Sequence, residues 1–196
     1  MKSDLSPMPG QRINVVGTSG SGKTTVGRAI ADRLGIPFVE LDALAWLPAW
    51  TNRPLAELQE LVDERTRGPA WVVDGNRSEV RDLVWGRADT VVWLDYPFRR
   101  VFGQLLKRTL RRALRREELW NGNRESLRMS FFSRESILLW AVRTHRWRKR
   151  EYPALLGRPE HAHLRVIRLR SPVETRRWLD GLTALVGPSP SRDRTA

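Results

Sequence analysis

The chain has 196 residues, 40% of them apolar, enough for one domain with a real hydrophobic core. It has no cysteine, which excludes disulfides and thiolate metal sites, while its formal charge of +13 calls for an explanation. No apolar run approaches the length of a membrane span, and Met1-Lys2-Ser3-Asp4-Leu5-Ser6-Pro7 has no apolar signal core, so a cytoplasmic protein is expected.

In chain order, Arg12-Ile13-Asn14-Val15-Val16 predicts a short buried strand. It runs into Gly17-Thr18-Ser19-Gly20-Ser21-Gly22-Lys23-Thr24, which fits the phosphate-loop pattern G-x-x-x-x-G-K-[ST]. A helix follows from Thr25 to Leu34, with Val26, Ile30 and Leu34 at four-residue spacing. The chemistry demands this order. Glycines let successive N–H groups converge on anionic oxygens, and the helix N-terminus adds positive potential there. Lys23 would reach the β- and γ-phosphates and the Thr24 hydroxyl would ligate Mg²⁺, so residues 17–25 are the expected site for ATP.

Pro37 to Leu41 predicts a second strand, and Trp46, Pro48 and Trp50 a loop. A helix from about Pro54 to Thr66 is stopped by Gly68-Pro69. Ala70-Trp71-Val72-Val73 predicts a third strand, Ser78 a capped short helix toward Trp85, and Thr90 to Leu94 a fourth strand. A long helix over Phe98 to Arg116 takes Val101, Leu105, Leu110 and Leu114 as its apolar side, with Arg108, Arg112, Arg115 and Arg116 on another. Asn121-Gly122-Asn123 breaks it, and helical pattern resumes from Ser133 to about Arg150. Leu164 to Leu169 predicts a fifth strand, and Ser171-Pro172 opens a last helix to Val186. Alternating strands and helices imply a parallel sheet covered on both faces, one domain over 1–186, and a disordered Pro/Ser-rich tail over 187–196.

Chemistry in such sheets gathers beyond the C-terminal strand ends, where three carboxylates fall. Asp74 ends an apolar strand, as a Mg²⁺-supporting acid would, though an Asp-Gly turn accounts for it too. Asp42 either accepts a proton from a substrate hydroxyl, or holds a sugar or amine by hydrogen bonds, or serves as an N-cap in a turn. Asp95 is expected to cap the following helix rather than to bind metal. Trp46 and Trp50 could wall a pocket for a ring, whereas Trp71, Trp93 and Trp178 read as core. His145, His161 and His163 show no ligand spacing. Asp74-Gly75-Asn76-Arg77 and Asn121-Gly122-Asn123-Arg124 echo each other, and with no longer repeat behind it the echo reads as coincidence.

The phosphate loop, the Leu41-Asp42-Ala43-Leu44 segment with Trp46 and Trp50, Trp71 to Asn76, Ala88 to Asp95, and Arg168-Leu169-Arg170-Ser171-Pro172 together resemble the adenylate-kinase-like P-loop proteins of DNA topology modulation (FlaR-related) type. The resemblance spans roughly Arg12 to Val186. It implies a three-layer α/β P-loop NTPase fold of nucleoside-monophosphate-kinase type, with a five-stranded parallel sheet and a helical, arginine-rich lid at roughly 108–150. Asp74-Gly75 is similar to the family's acceptor motif, which continues Phe-Pro-Arg where this chain has Asn76-Arg77, so the acceptor is not carried over. By the same resemblance Arg108, Arg112 and Arg124 are lid arginines that neutralise the transferring phosphoryl group, and Arg170 lies in the segment lining the adenine.

These features point to a kinase moving the γ-phosphoryl of Mg-ATP to a small acceptor such as a nucleotide, nucleoside or similar metabolite. The basic clusters, Arg99 to Arg116 and Arg143 to Arg150, also allow a nucleic-acid-associated ATPase. That reading is not favoured, because no helix-turn-helix, zinc-finger or RNA-binding signature is present. A regulatory GTPase fares worse, lacking an Asn-Lys-x-Asp segment. The oligomeric state is not legible from these patterns.

Overall fold

The computed structural model describes residues 8–115, 118–123 and 149–186. In chain order its elements are β1 (Arg12–Gly17), α1 (Lys23–Leu34), β2 (Phe38–Glu40), α2 (Leu41–Ala45), β3 (Trp46–Leu47), β4 (Thr51–Asn52), α3 (Leu55–Arg65) and β5 (Trp71–Asp74). There follow α4 (Arg81–Arg87), β6 (Thr90–Leu94), α5 (Phe98–Arg115), α6 (the helical residues 149–156), β7 (Arg165–Leu169) and α7 (Pro172–Val186). Five of the strands form one parallel sheet in the order β2-β5-β1-β6-β7. This is the α/β architecture expected from the alternation of elements.

The sheet has two cores because successive side chains on a strand point to opposite faces. Ile13, Val15, Val72, Val92 and Leu94 face one side, where Val26 and Ile30 of α1 and Trp178 and Leu182 of α7 cover them. Val16, Trp71, Val73, Val91 and Trp93 face the other, under Val62 of α3, Trp85 of α4 and Tyr152 of α6. Strands buried on both faces therefore read as unbroken apolar runs. Asn14 interrupts β1 without loss, since its amide donates to the Val73 and Gly75 carbonyls and accepts from the Trp85 indole at 2.8 Å. No described helix is long and apolar enough to cross a membrane.

Three local expectations are corrected. The segment after Asp42 is not a plain loop: β3 and β4 pair antiparallel, Trp46 with Asn52 and Leu47 with Thr51. Strands of two residues are too short to show a period of two. Ser78 does not cap a helix; its hydroxyl bonds Glu79, and a 3₁₀ turn over Ser78–Val80 leads into α4. On α5, Val101 and Leu105 are buried, but Leu110 and Leu114 are exposed. At about 100° per residue those two leucines fall roughly opposite Val101, whereas Arg108 and Arg112 each lie within about 20° of it. The two arginines thus share the face of α5 that packs inward, and both are half-buried. Arg116, Arg124, the resumed helix before residue 149, the rest of the expected lid and the tail from 187 lie outside the described residues.

Candidate active site

The phosphate loop joins the end of β1 to the start of α1 at the C-terminal edge of the sheet. Gly20 adopts a φ of 86°, and a Cβ there would meet the Val101 carbonyl and the Leu105 Cβ at 2.8 Å. Only glycine lets α5 close on the loop from above. Ser21 N–H donates to the Thr18 carbonyl at 3.0 Å, and Gly22 caps α1 in a left-handed conformation. Lys23 Nζ lies 3.5 Å from the Thr18 carbonyl oxygen, and Thr25 is exposed on the first turn of α1. Ser19 sits half-buried at the bend. Asn76 holds the loop's root, accepting from Gly17 N–H at 3.0 Å while its amide donates to the Gly17 carbonyl.

Asp74 ends β5 beside this loop and is 4% exposed. Its Oδ2 accepts from the Thr24 hydroxyl at 2.5 Å, while its buried Oδ1 has no hydrogen-bond partner among the described residues. Burial raises its pKa from 3.8 to about 6, helped by Glu40 and Asp42, against the opposing pull of Lys23 and the Thr24 hydrogen bond. A buried oxygen left without a donor is a site that a cation completes. Hard oxygen ligands from Thr24 and Asp74 suit Mg²⁺, and the residues present fit that ion.

Strand β2 lies next to β5, with Glu40 opposite Asp74, so Asp42 emerges two residues beyond on the same sheet edge. Asp42 is half-exposed on the first turn of α2, and its Oδ1 lies 3.4 Å from Arg77 Nε. Arg77 is well covered, stacks over the Trp46 ring at 5.1 Å and also meets Glu79 at 3.5 Å. Gly75 brings these groups close: its φ is 142°, and a Cβ would meet Leu41 Cβ at 2.9 Å. Trp50 presents its ring edge-on to Trp46, with centroids 5.6 Å apart. The expected aromatic pair therefore exists, with a cation added.

The turn carrying Trp50 is strained. Ala49 and Trp50 both adopt left-handed φ, 57° and 55°, at roughly 1–2 kcal/mol per non-glycine residue. A two-strand ribbon this short is marginal by itself. Asn123, 4% exposed, supplies the balance. It accepts from Trp50 N–H at 2.8 Å and donates to the Leu47 and Trp120 carbonyls at 2.9 and 2.8 Å. Asn121 adds a bond to the Trp46 carbonyl at 2.5 Å. Three of these bonds reach the ribbon, and at about 1 kcal/mol net each they are comparable to the strain.

The remaining expected residues fall in different places. Arg108 and Arg112 are half-buried on the face of α5 that begins with Val101 and Leu105, the two residues that meet Gly20. Arg124 lies outside the described residues. Arg170 is exposed at the start of the α7 junction, where its N–H donates to Glu174 and Ser171 Oγ accepts from Glu174 N–H. Asp95 follows β6 and is bound by Arg168 of β7. Both Arg168 Nε and Nη2 bind its Oδ2, at 3.0 and 2.5 Å, and Lys149 approaches Oδ1 at 4.0 Å. His161 and His163 each hydrogen-bond a backbone carbonyl, of Leu155 and Trp85.

Sequence reasoning missed Asn76, Arg77 and Asn123 as parts of the site. Two of them, Asn76 and Asn123, belong to the paired Gly-Asn segments of the sequence. Each asparagine presents its amide to a loop as a strand would, accepting from one backbone N–H and donating to a carbonyl.

Comparisons with known proteins bear on the fold and on the segment that carries the phosphate loop. The model of the ATPase family associated with various cellular activities (AAA) matches residues 13–94, less than half of the chain, from β1 through the phosphate loop to β6. Over 101 residues, 42% of this chain and 56% of the relative, it is 62% identical to a shikimate kinase of Symbiobacterium thermophilum. Over 107 residues, 41% of this chain and 54% of the relative, it is 32% identical to a shikimate kinase of Ruegeria pomeroyi. The chain spans between about a fifth and just over half the length of the curated shikimate kinases it matches. A solved shikimate kinase from Acinetobacter baumannii, in complex with shikimate, superposes with a TM-score of 0.55 at 18% identity, covering 93% of this chain and 95% of that one. Fold and phosphate loop together define a P-loop protein with the α/β kinase fold. Within that class the chain is similar to the shikimate kinases, and these comparisons lend no support to the DNA topology modulation type.

Proposed function

We propose that this protein transfers the γ-phosphoryl group of Mg-ATP to a hydroxyl of a small metabolite. One observation carries the reading. Asp74, bonded to Thr24 of the phosphate loop, and Asp42, paired with Arg77, emerge from neighbouring strands at one edge of one sheet. Phosphoryl transfer needs donor and acceptor held in line with the charge between them compensated, and little covalent help.

In this reading the loop amides and Lys23 grip the phosphates, and Thr24 with Asp74 holds the metal. Bound Mg²⁺ would neutralise charge developing on the phosphoryl oxygens. Asp42 accepts the proton of the acceptor hydroxyl as its oxygen bonds to phosphorus and ADP leaves. Arg77 orients that carboxylate and Trp46 supplies a flat wall for the acceptor's carbon frame. Arg108 and Arg112 add positive charge over the loop, which gives the basic stretch of α5 a role without nucleic acid. Arg170 borders the nucleotide's base.

Shikimate, the molecule in the similar solved structure, is the first acceptor to try. The test is a coupled ADP-release screen over shikimate, sugars, polyols, nucleosides and nucleotides, with and without Mg²⁺. At least one compound should raise ADP release well above the rate in its absence. Lys23→Ala should lower that rate on the order of 100-fold with the fold intact. Turnover indifferent to every compound would overturn the reading.

A further inference from the structure

Asn123 has no part in the phosphoryl-transfer scheme, yet it is a buried polar side chain with both amide atoms bonded. Its partners are informative. Trp50 N–H and the Leu47 carbonyl belong to the ribbon that leaves Asp42's helix, at the point where Ala49 and Trp50 carry left-handed backbone. The contacts continue inward: Trp50 meets Trp46 edge-on, Trp46 lies under the Arg77 guanidinium, and Arg77 pairs with Asp42. Strained non-glycine backbone persists only where its surroundings hold it, and Asn123 bonds the strained turn on both sides, at Trp50 N–H and at the Leu47 carbonyl. Asn121, from the same turn, reaches the Trp46 and Ala43 carbonyls on the other side of the ribbon.

We propose that Asn123 is a positioning residue of the acceptor subsite: by pinning the Trp46–Asn52 ribbon it keeps Trp46, and with it the Arg77–Asp42 pair, in the geometry that receives the acceptor. The word acceptor rests on the phosphotransfer reading; the pinning does not. Asn123 touches no reacting atom. It acts through Trp50 and Trp46, and should govern how well the acceptor is held rather than how the nucleotide is bound.

The test compares the wild-type chain with Asn123→Ala and Asn123→Asp. Amide hydrogen exchange, resolved by residue, should speed up about tenfold or more over 46–52 in Asn123→Ala. Exchange at Gly17 to Thr24 and affinity for Mg-ATP should stay within about twofold. Asn123→Asp keeps an oxygen for the Trp50 N–H and loses both donors, so protection of that one amide should return by about threefold or more relative to Asn123→Ala. With the fastest acceptor from the screen, Asn123→Ala should raise acceptor KM about tenfold and leave the KM for ATP unchanged. Unaltered ribbon exchange, or a speeding shared equally by the phosphate loop, overturns the proposal, as does a rise in KM confined to ATP. If the wild type has no acceptor-dependent turnover, the phosphotransfer reading falls and the exchange result alone decides the role of Asn123.

Discussion

The phosphate loop and the Trp46–Asn52 ribbon are built around the same device under unequal conditions. Each is a bent segment fixed by an asparagine from a Gly-Asn pair, Asn76 at Gly17 and Asn123 at Trp50. Each also stores an unfavourable group. At the phosphate loop it is electrostatic, a buried Asp74 carboxylate; at the ribbon it is conformational, the left-handed Ala49 and Trp50. The difference lies in what else supports them. The loop is rooted in the central strand and pressed by α5, whereas the ribbon has two-residue strands whose second member is exposed. The loop sits on packing from two elements, and the ribbon leans on polar bonds from the Trp120–Asn123 turn.

The largest effect should come from removing the electrostatic burden. Asp74's folded pKa, about 6, is above its ordinary 3.8. Relative to an uncharged residue it therefore leaves stability intact below about pH 4, takes it away as pH rises through 6, and levels off above. Asp74→Asn without nucleotide should match wild type near pH 4 and exceed it at pH 8 by about 3 kcal/mol at most. Chemical denaturation across that range reads the difference directly. The same variant should lose most Mg²⁺-dependent ATP affinity, a gain in stability at the expense of function. Equal stability of the two proteins at pH 8 would show that Asp74 carries no such burden.

Next in size is the asparagine at the phosphate loop. Asn76→Ala removes both bonds to Gly17, so Mg-ATP affinity should drop by about tenfold, the equivalent of one to two hydrogen bonds. Because β1 and α5 still hold the loop, hydrogen exchange over Gly17 to Thr24 should rise less than it does over the ribbon in Asn123→Ala. Equal rises would erase the contrast between support by packing and support by polar bonds.

How much of this was legible beforehand follows from what each feature depends on. The phosphate loop declared itself because its chemistry fixes residue types at local spacing, and the strands because burial on both faces leaves apolar runs such as Trp71-Val72-Val73. Asp74 was found by its place at the end of such a strand. Arg77 was not, since its meaning depends on Asp42 and Trp46, which reach it only through the pairing of β2 with β5. The inward face of α5 was misjudged because Leu110 and Leu114 look like core until the wheel is drawn from Val101. The Gly-Asn echo is visible in the sequence but carries no meaning there. Three residues cannot distinguish repetition from chance, and only the shared backbone geometry of Asn76 and Asn123 gives it content.

The smallest expected effect sharpens the comparison from the ribbon's side. Ala49 at φ 57° forgoes roughly 1 kcal/mol that glycine would not, and glycine returns part of this through its greater freedom in the unfolded chain. Ala49→Gly should therefore stabilise by about 0.5 kcal/mol, a rise in Tm of about 1–2 °C for a domain of this size. If glycine lowered Tm, the left-handed turn would not be a strained one, and Asn123 would be bonding a ribbon that had no need of it.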